Sequence, residues 1–223
     1  MMPSRLFYFG KLRSVHQSAE DADEWYRALR CLESGRKVSA VHGTKQESWP
    51  IHFRGVNGVD KSVAVEQCWG SNSWSNPKEA GVVVEIIQKL VSQGVSTQSI
   101  GVMAAFRAQV VLVRQKLRQL NLGTVNVGIV EDYQAVERDV IILSLTRANP
   151  DFMSNDLQRR VGLFKQEKRM NVALTRAEKM LIVVGCPKIM MEDPMWFEWL
   201  KFCYTNGLWY GDGESHKGFE SGP

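Results

Sequence analysis

Short apolar runs, set at near-regular intervals between helix-length amphipathic segments, constrain this chain more than any other feature. Ile100–Ala105, Val125–Val130, Val140–Leu145 and Met180–Gly185 each have strand length. Helical patterns over 77–92, about 107–120, about 166–178 and Pro194–Tyr204 alternate with them. Strands that are apolar on both sides need cover on both sides. The pattern therefore predicts an α/β fold with a parallel sheet between helical layers. Such a sheet usually holds ligands beyond the carboxyl ends of its strands.

The first half is less regular. Residues 18–34 read as an amphipathic helix, with Trp25, Leu29 and Leu32 at helical spacing. Pro50–Arg54 is a short strand candidate, and 55–76, rich in Gly, Asn and Ser, reads as an irregular loop. Asn76-Pro77 then starts a helix, Asn as N-cap and Pro at the first helical position. A second loop is expected over about 148–165. These signals divide the chain into an entry segment and linker helix (1–48), one α/β domain (49–207) and a flexible tail (208–223).

Composition excludes more than it selects. Lys and Arg total 28 against 24 Asp and Glu, a net charge of +4, which permits a polyanionic partner without requiring one. Cys31, Cys68, Cys186 and Cys203 are far apart and make no Cys-x-x-Cys pair, so no metal site is expected and a reduced thiol state is the simple reading. No apolar run approaches the ~20 residues of a membrane helix. The amino terminus lacks the pattern of a signal peptide, which makes the cytoplasm the expected location.

Two polar segments can carry chemistry. In Val130–Val140, Gln134 and Glu137 sit three apart in a turn between apolar strands, where a carboxylate suits ribose hydroxyls. Read alone, these residues suit capping and solvation of a strand connection better. In Lys168–Ala177, Arg169, Ala173 and Arg176 share one helical face. Two turns, about 10 Å, separate the arginines, so each can reach a different anion from one rod. Read alone, solvated arginines on a surface helix account for them better, with Met170, Val172 and Leu174 able to form the core face.

Order and spacing carry further. Tyr133-Gln-x-x-Glu-Arg-Asp-Val-Ile-Ile-Leu-Ser144, then Arg147-Ala-Asn149, then Arg169-Met-Asn-Val-Ala-Leu-Thr-Arg-Ala177 and Leu181–Gly185 resemble motifs V and VI of superfamily-one helicases. Pro50–Val56, Ser73–Pro77 and Ile100–Val110 resemble further segments of the up-frameshift-like group, in order. Within that group the chain is most similar to RNA helicases of the Moloney-leukaemia-virus-ten and Armitage type. The resemblance runs from about Pro3 to Gly207, and several ordered matches are far more specific than any one of them.

The resemblance implies a second RecA-like, P-loop-NTPase-like domain of an ATP-dependent RNA helicase working 5′ to 3′, with small-RNA silencing as its setting. It implies Arg176 as an arginine finger on the γ-phosphate and Glu137 near the ribose. Gln134 falls in the coupling turn, Arg169 and Asn171 in motif VI, and Phe106, Arg107 and Asn171 along the single-stranded RNA. Two departures bear on RNA grip and coupling: the family's Gln-Gly-x-Glu is Gln134-Ala-Val-Glu137, and its Thr-Pro-Tyr is Ala104-Ala-Phe106. Alanine replaces a glycine suited to positive φ, and a hydroxyl is lost.

No Gly-x-x-x-x-Gly-Lys-Ser/Thr occurs, so ATP and Mg²⁺ need a cradle supplied by a first RecA-like domain. Pro3–Gly10 resembles a segment inside the helicase core, so the chain is expected to begin there, as a fragment, short isoform or truncated gene model would. The rival reading is a non-catalytic RNA- or protein-binding module. A dinucleotide-binding fold is set aside because no Gly-x-Gly-x-x-Gly follows a strand. Trp196, Trp199 and Phe202 read as a core-facing stripe, and His42 and His52 carry no expected catalysis.

Overall fold

A computed structural model describes residues 50–64, 72–159 and 161–213. The helix expected over 18–34, together with His42, Cys31 and Cys68, lies outside the described residues. In chain order, β1 (Ile51–Gly55), β2 (Lys61–Ala64) and β3 (Asn72–Ser75) precede α1 (Pro77–Ser92). Next come β4 (Ile100–Ala104), α2 (Arg107–Gln119), β5 (Asn126–Ile129) and β6 (Arg138–Ser144). Then α3 (Met153–Arg159), α4 (Glu167–Thr175), β7 (Ala177–Gly185), α5 (Pro187–Met190), α6 (Pro194–Thr205) and β8 (Trp209–Gly211) complete the order.

Six strands form one sheet in the order β5-β4-β6-β7-β1-β8, and every pair is parallel. Alternation along β6 explains its unbroken apolar run. Ile141 and Leu143 face the core shared with Met170, Leu174, Trp196 and Trp199, whereas Val140 and Ile142 face α1 and α2. All four are fully buried. At roughly 1.5–3 kcal/mol for each large apolar side chain buried, this central strand anchors both layers. The arrangement is a three-layer α/β, P-loop-NTPase-like fold, as the alternation of strands and helices predicts.

Helix α1 starts as its sequence dictates. The Asn76 side chain accepts the Glu79 N–H at 3.1 Å, and Pro77 takes the first position. The stretch 55–76, expected as one loop, instead carries the antiparallel pair β2–β3. Stretch 148–165, also expected as loop, carries the short helix α3. The tail boundary moves as well: Trp209–Gly211 adds an edge strand beside β1, with Trp209 1% exposed. Trp196 and Trp199 are buried as expected, and Phe202 packs partly buried against the same core.

At the carboxyl ends of β4 and β6 a polar network fills the crevice. Gln109 donates to Ser144 Oγ at 3.0 Å and accepts the Asn76 N–H at 2.8 Å. Glu79 Oε1 accepts from Ser144 Oγ at 2.7 Å and from the Thr146 N–H at 2.8 Å. Thr146 has φ +71°, a costly conformation for a β-branched residue, on the order of 1–3 kcal/mol. Its carbonyl accepts from Asn76 Nδ2 at 3.2 Å, so both of its backbone polar groups are fixed.

Beside it Arg147 is wholly buried. Its Nη1 lies 2.7 Å from Asp60 Oδ2, and its Nε and Nη2 donate to the two carboxylate oxygens of Asp156. The rings of Trp74, Phe106 and Phe152 surround the guanidinium at 4.1, 4.6 and 5.1 Å.

Burial pushes the Glu79 carboxyl up to about 8, against the opposing pull of its hydrogen bonds from Thr146 and Ser144. Its Oε2 has no hydrogen-bond partner among the described residues, which suits a protonated acid. A carboxyl whose pKa is higher folded than unfolded contributes stability at low pH, and this is lost as pH rises through the folded value. Relative to Glu79→Gln, the wild-type chain is therefore expected to lose stability between about pH 4.5 and 8, by on the order of a few kcal/mol. Urea unfolding of both proteins across that range measures it; a constant difference would mean that Glu79 ionises normally.

Candidate functional site

The two polar segments lie side by side on one face of the sheet. From the carboxyl end of β5 the chain turns through a single 3₁₀ turn, Val130–Tyr133, and runs back toward the start of β6. Tyr133 lies against β4 on this return and donates from its hydroxyl to the Asn126 carbonyl at 2.9 Å. A side chain at Gly101 would meet that ring at 2.8 Å, so the close approach needs glycine. Ala135 has φ +61°. The position where the family carries glycine is thus left-handed, and alanine adopts it at a cost of roughly 1–2 kcal/mol.

Helix α4 runs along the same face. Its Met170, Ala173 and Leu174 are buried, while Val172 is only partly so. The helix ends at Thr175, and β7 begins at Ala177, three residues before the strand start expected from the pattern. The reason lies in the neighbouring strand. β6 begins at Arg138, whose N–H donates to the Arg176 carbonyl at 3.2 Å, so the two strands extend together. Arg176 therefore occupies the junction between helix and strand.

Each arginine meets one carboxylate of the facing turn. Arg169 Nη2 donates to Glu131 Oε2 at 3.0 Å, and Arg169 Nη1 donates to the Gly162 carbonyl. Arg176 Nη1 lies 3.3 Å from Glu137 Oε1, with the two side chains 22% and 50% exposed. One cation on the helix and one at its C-cap thus reach two separate anions. The location corrects one expectation. Glu137 and Arg176 sit at the amino ends of β6 and β7, the edge opposite the strand ends where ligands were expected.

The other predicted residues are distributed. Gln134 is exposed at the end of the 3₁₀ turn, and its N–H donates to the Glu131 carbonyl at 3.2 Å. Asn171 is half-buried on α4, its carbonyl accepting from Thr175 Oγ1 at 2.9 Å. Phe106 and Arg107 stand at the opposite edge, after β4. Arg107 is exposed at the first position of α2, whereas the Phe106 ring is buried beneath Arg147 and offers no open face. The structure thus brings Glu137 to Arg176 and leaves Phe106 and Arg107 as a separate group.

Sequence reasoning missed Glu131 and assigned no role to Arg147, Asp60, Asp156 or Glu79. For Glu131 a signal existed. Glu131 and Glu137 are six apart and Arg169 and Arg176 seven apart, so two acids and two cations are set at nearly matching intervals. For Arg147 none did, since nothing local distinguishes a buried arginine from an exposed one.

Relief of the left-handed strain gives a direct check. Ala135→Gly is expected to stabilise the chain by at most about 1 kcal/mol, because glycine's greater unfolded entropy offsets part of the gain. Destabilisation in thermal or urea unfolding would show that the Ala135 methyl group contributes packing instead.

Residues 1–188 match the family model described as an AAA domain. The chain is 35% identical to the helicase MOV-10 of Gallus gallus, an alignment covering 94% of this chain and 22% of that protein. It is 33% identical to the RNA helicase Mov10l1 of Homo sapiens, over 95% of this chain and 16% of that one. It is 30% identical to the RNA helicase armi of Drosophila melanogaster, over 93% and 17%. The chain spans about a fifth of the length of these relatives. It belongs to the AAA-domain family and, within it, to the superfamily-one helicases of the Moloney-leukaemia-virus-ten and Armitage type.

Proposed function

We propose that this chain is the C-terminal motor half of an ATP-dependent RNA helicase, acting on a nucleotide held by a first RecA-like domain outside this sequence. The observation that carries the reading is the Glu137–Arg176 pair. Two segments that resemble nucleotide-contacting motifs converge on one edge and present a partly exposed guanidinium held by a half-exposed carboxylate and by the Thr175 hydroxyl. Surface pairs of this kind are worth roughly 0–1 kcal/mol, so a phosphate can displace the carboxylate at little cost. Arg176 then neutralises charge developing on the γ-phosphate, and Glu137, released, is free to accept from ribose hydroxyls.

The amino-edge location suits this role. A sheet that binds its own nucleotide uses its carboxyl ends, but here Asn76, Glu79, Gln109 and Ser144 occupy that crevice. A domain that completes a neighbour's site presents a different edge. The residues present fit the periphery of a nucleotide and not its core: there is no phosphate loop, and among the described residues no group of three or more potential metal ligands. Mg²⁺ and the β-phosphate are assigned to the first domain.

Single-stranded RNA passes Phe106, Arg107 and Asn171 in this reading, with 5′ to 3′ movement by family resemblance. The buried Phe106 ring would support Arg107 rather than stack on a base. Resemblance to the Armitage type supports small-RNA silencing in the cytoplasm as the setting, with silencing factors as partners. Among the described residues no helix is long and apolar enough to cross a membrane. The filled crevice and missing phosphate loop also favour a second reading for the chain by itself, a non-catalytic module that binds RNA or protein.

Steady-state ATPase assays with and without single-stranded RNA separate the two. The chain alone is expected to show no turnover. Joined to a first domain, it is expected to hydrolyse ATP, and Arg176→Ala to lower kcat by about 10³-fold or more while nucleotide affinity changes little. Turnover by the lone chain, or full activity of the joined Arg176→Ala protein, would refute the assignment.

A further inference from the structure

Residues 86–130 contain no Asp or Glu but include Lys89, Arg107, Arg114, Lys116 and Arg118. Four of these five cations lie on α2. On a helix, positions 107, 111, 114 and 118 fall within one narrow stripe. Arg107, Val111, Arg114 and Arg118 are all exposed, whereas Ala108, Gln109, Val110, Val113 and Leu117 on the remaining faces are buried. Three guanidinium groups therefore project along a line of about 16 Å, at intervals of roughly 10 and 6 Å.

The row is unfavourable for the free protein. Arg107 stands at the first position of α2, where the helix dipole disfavours a cation, and no acid occupies the first turn. Arg114 and Arg118 are like charges four apart, another small penalty. Arg114 offsets part of this by donating Nε and Nη2 to the Val127 carbonyl on the edge strand β5. Arg107 and Arg118 have no such compensation within α2, which carries no acid at all.

We infer that the exposed face of α2 is a phosphate-binding track that extends the RNA path away from the carboxyl ends of the sheet, down its β5 edge. This rests on the RNA-path reading above, because the row begins at Arg107. Its chemistry fits the backbone of a single-stranded nucleic acid. The row carries no aromatic group for base stacking, so it reads charge and not sequence. An acidic protein partner fits less well, since protein interfaces have an apolar centre and Val111 is the one apolar side chain in the row.

The test measures binding of the full 223-residue chain to a fluorescein-labelled oligouridine by anisotropy across a KCl series. Arg118→Gln is expected to weaken binding severalfold and to make the slope of log K against log[KCl] shallower by about 0.7, the loss of one phosphate contact. Arg118→Glu is expected to weaken it further. Thermal stability of Arg118→Gln is expected to hold or rise as repulsion is relieved, so a folding defect is distinguishable. If Arg107→Ala weakens binding while both Arg118 variants match wild type, the RNA path stands and the track is overturned. If the Arg118 variants weaken it and Arg107→Ala does not, α2 binds phosphate apart from the Arg107 path, and the track as an extension of that path is overturned. Absence of RNA binding by the wild-type chain, or RNA-independent capture of labelled polyglutamate that Arg118→Glu abolishes, overturns the track in favour of no anion or an acidic protein.

Discussion

The Arg147 guanidinium is the constraint on which the carboxyl side of the sheet depends. A fully buried cation is tolerable only when paired and hydrogen-bonded, and here it has two carboxylates and three ring faces. Those partners come from separate places: Asp60 before β2, Trp74 in β3, Phe106 after β4, and Phe152 and Asp156 around α3. One side chain thus fixes the β2–β3 pair, the end of β4 and the short helix against each other. Loss of either acid would leave buried guanidinium N–H groups without an acceptor, whereas loss of a surface pair such as Lys89–Glu85 would change little.

With that side of the sheet packed by Arg147 and sealed by the Glu79 network, the two edges of the molecule differ in kind. The carboxyl edge is buried and its backbone around Thr146 is hydrogen-bonded, apart from the exposed Arg107. The amino edge of β6 and β7 holds pairs that are partly open to solvent, Glu137 with Arg176 and Asp139 with Lys179. Polar groups locked inside a network specify shape, and pairs at a solvent edge remain able to exchange partners.

Legibility from sequence followed the same division. The parallel sheet, α1 with its Asn76 cap, and α6 could be read because local pattern and tertiary demand agree there. The β2–β3 pair could not. Lys61-Ser-Val-Ala64 and Asn72-Ser-Trp-Ser75 have little strand character, and pairing across the intervening residues is a tertiary choice. The end of α4 was misplaced because Ala177-Glu-Lys179 has helical propensity and is overridden by register with β6. At the site, the alternating acids and arginines of the two segments were visible, but the edge they occupy was not. The rule for carboxyl ends concerns a sheet's own ligand, and no residue pattern states which edge a neighbour will use.

The left-handed Ala135 has a consequence for how firmly the 130–137 turn is held. Because alanine populates that conformation poorly, the turn is not preorganised by its own backbone; it must be clamped from outside by Tyr133 over β4, Asp132 accepting the Ile129 N–H, and the strand register at Arg138. A segment held by its neighbours relays their displacement. Any shift of β4 or α4 would therefore reach Glu137, with the turn acting as a lever under tension where a glycine would act as a loose joint.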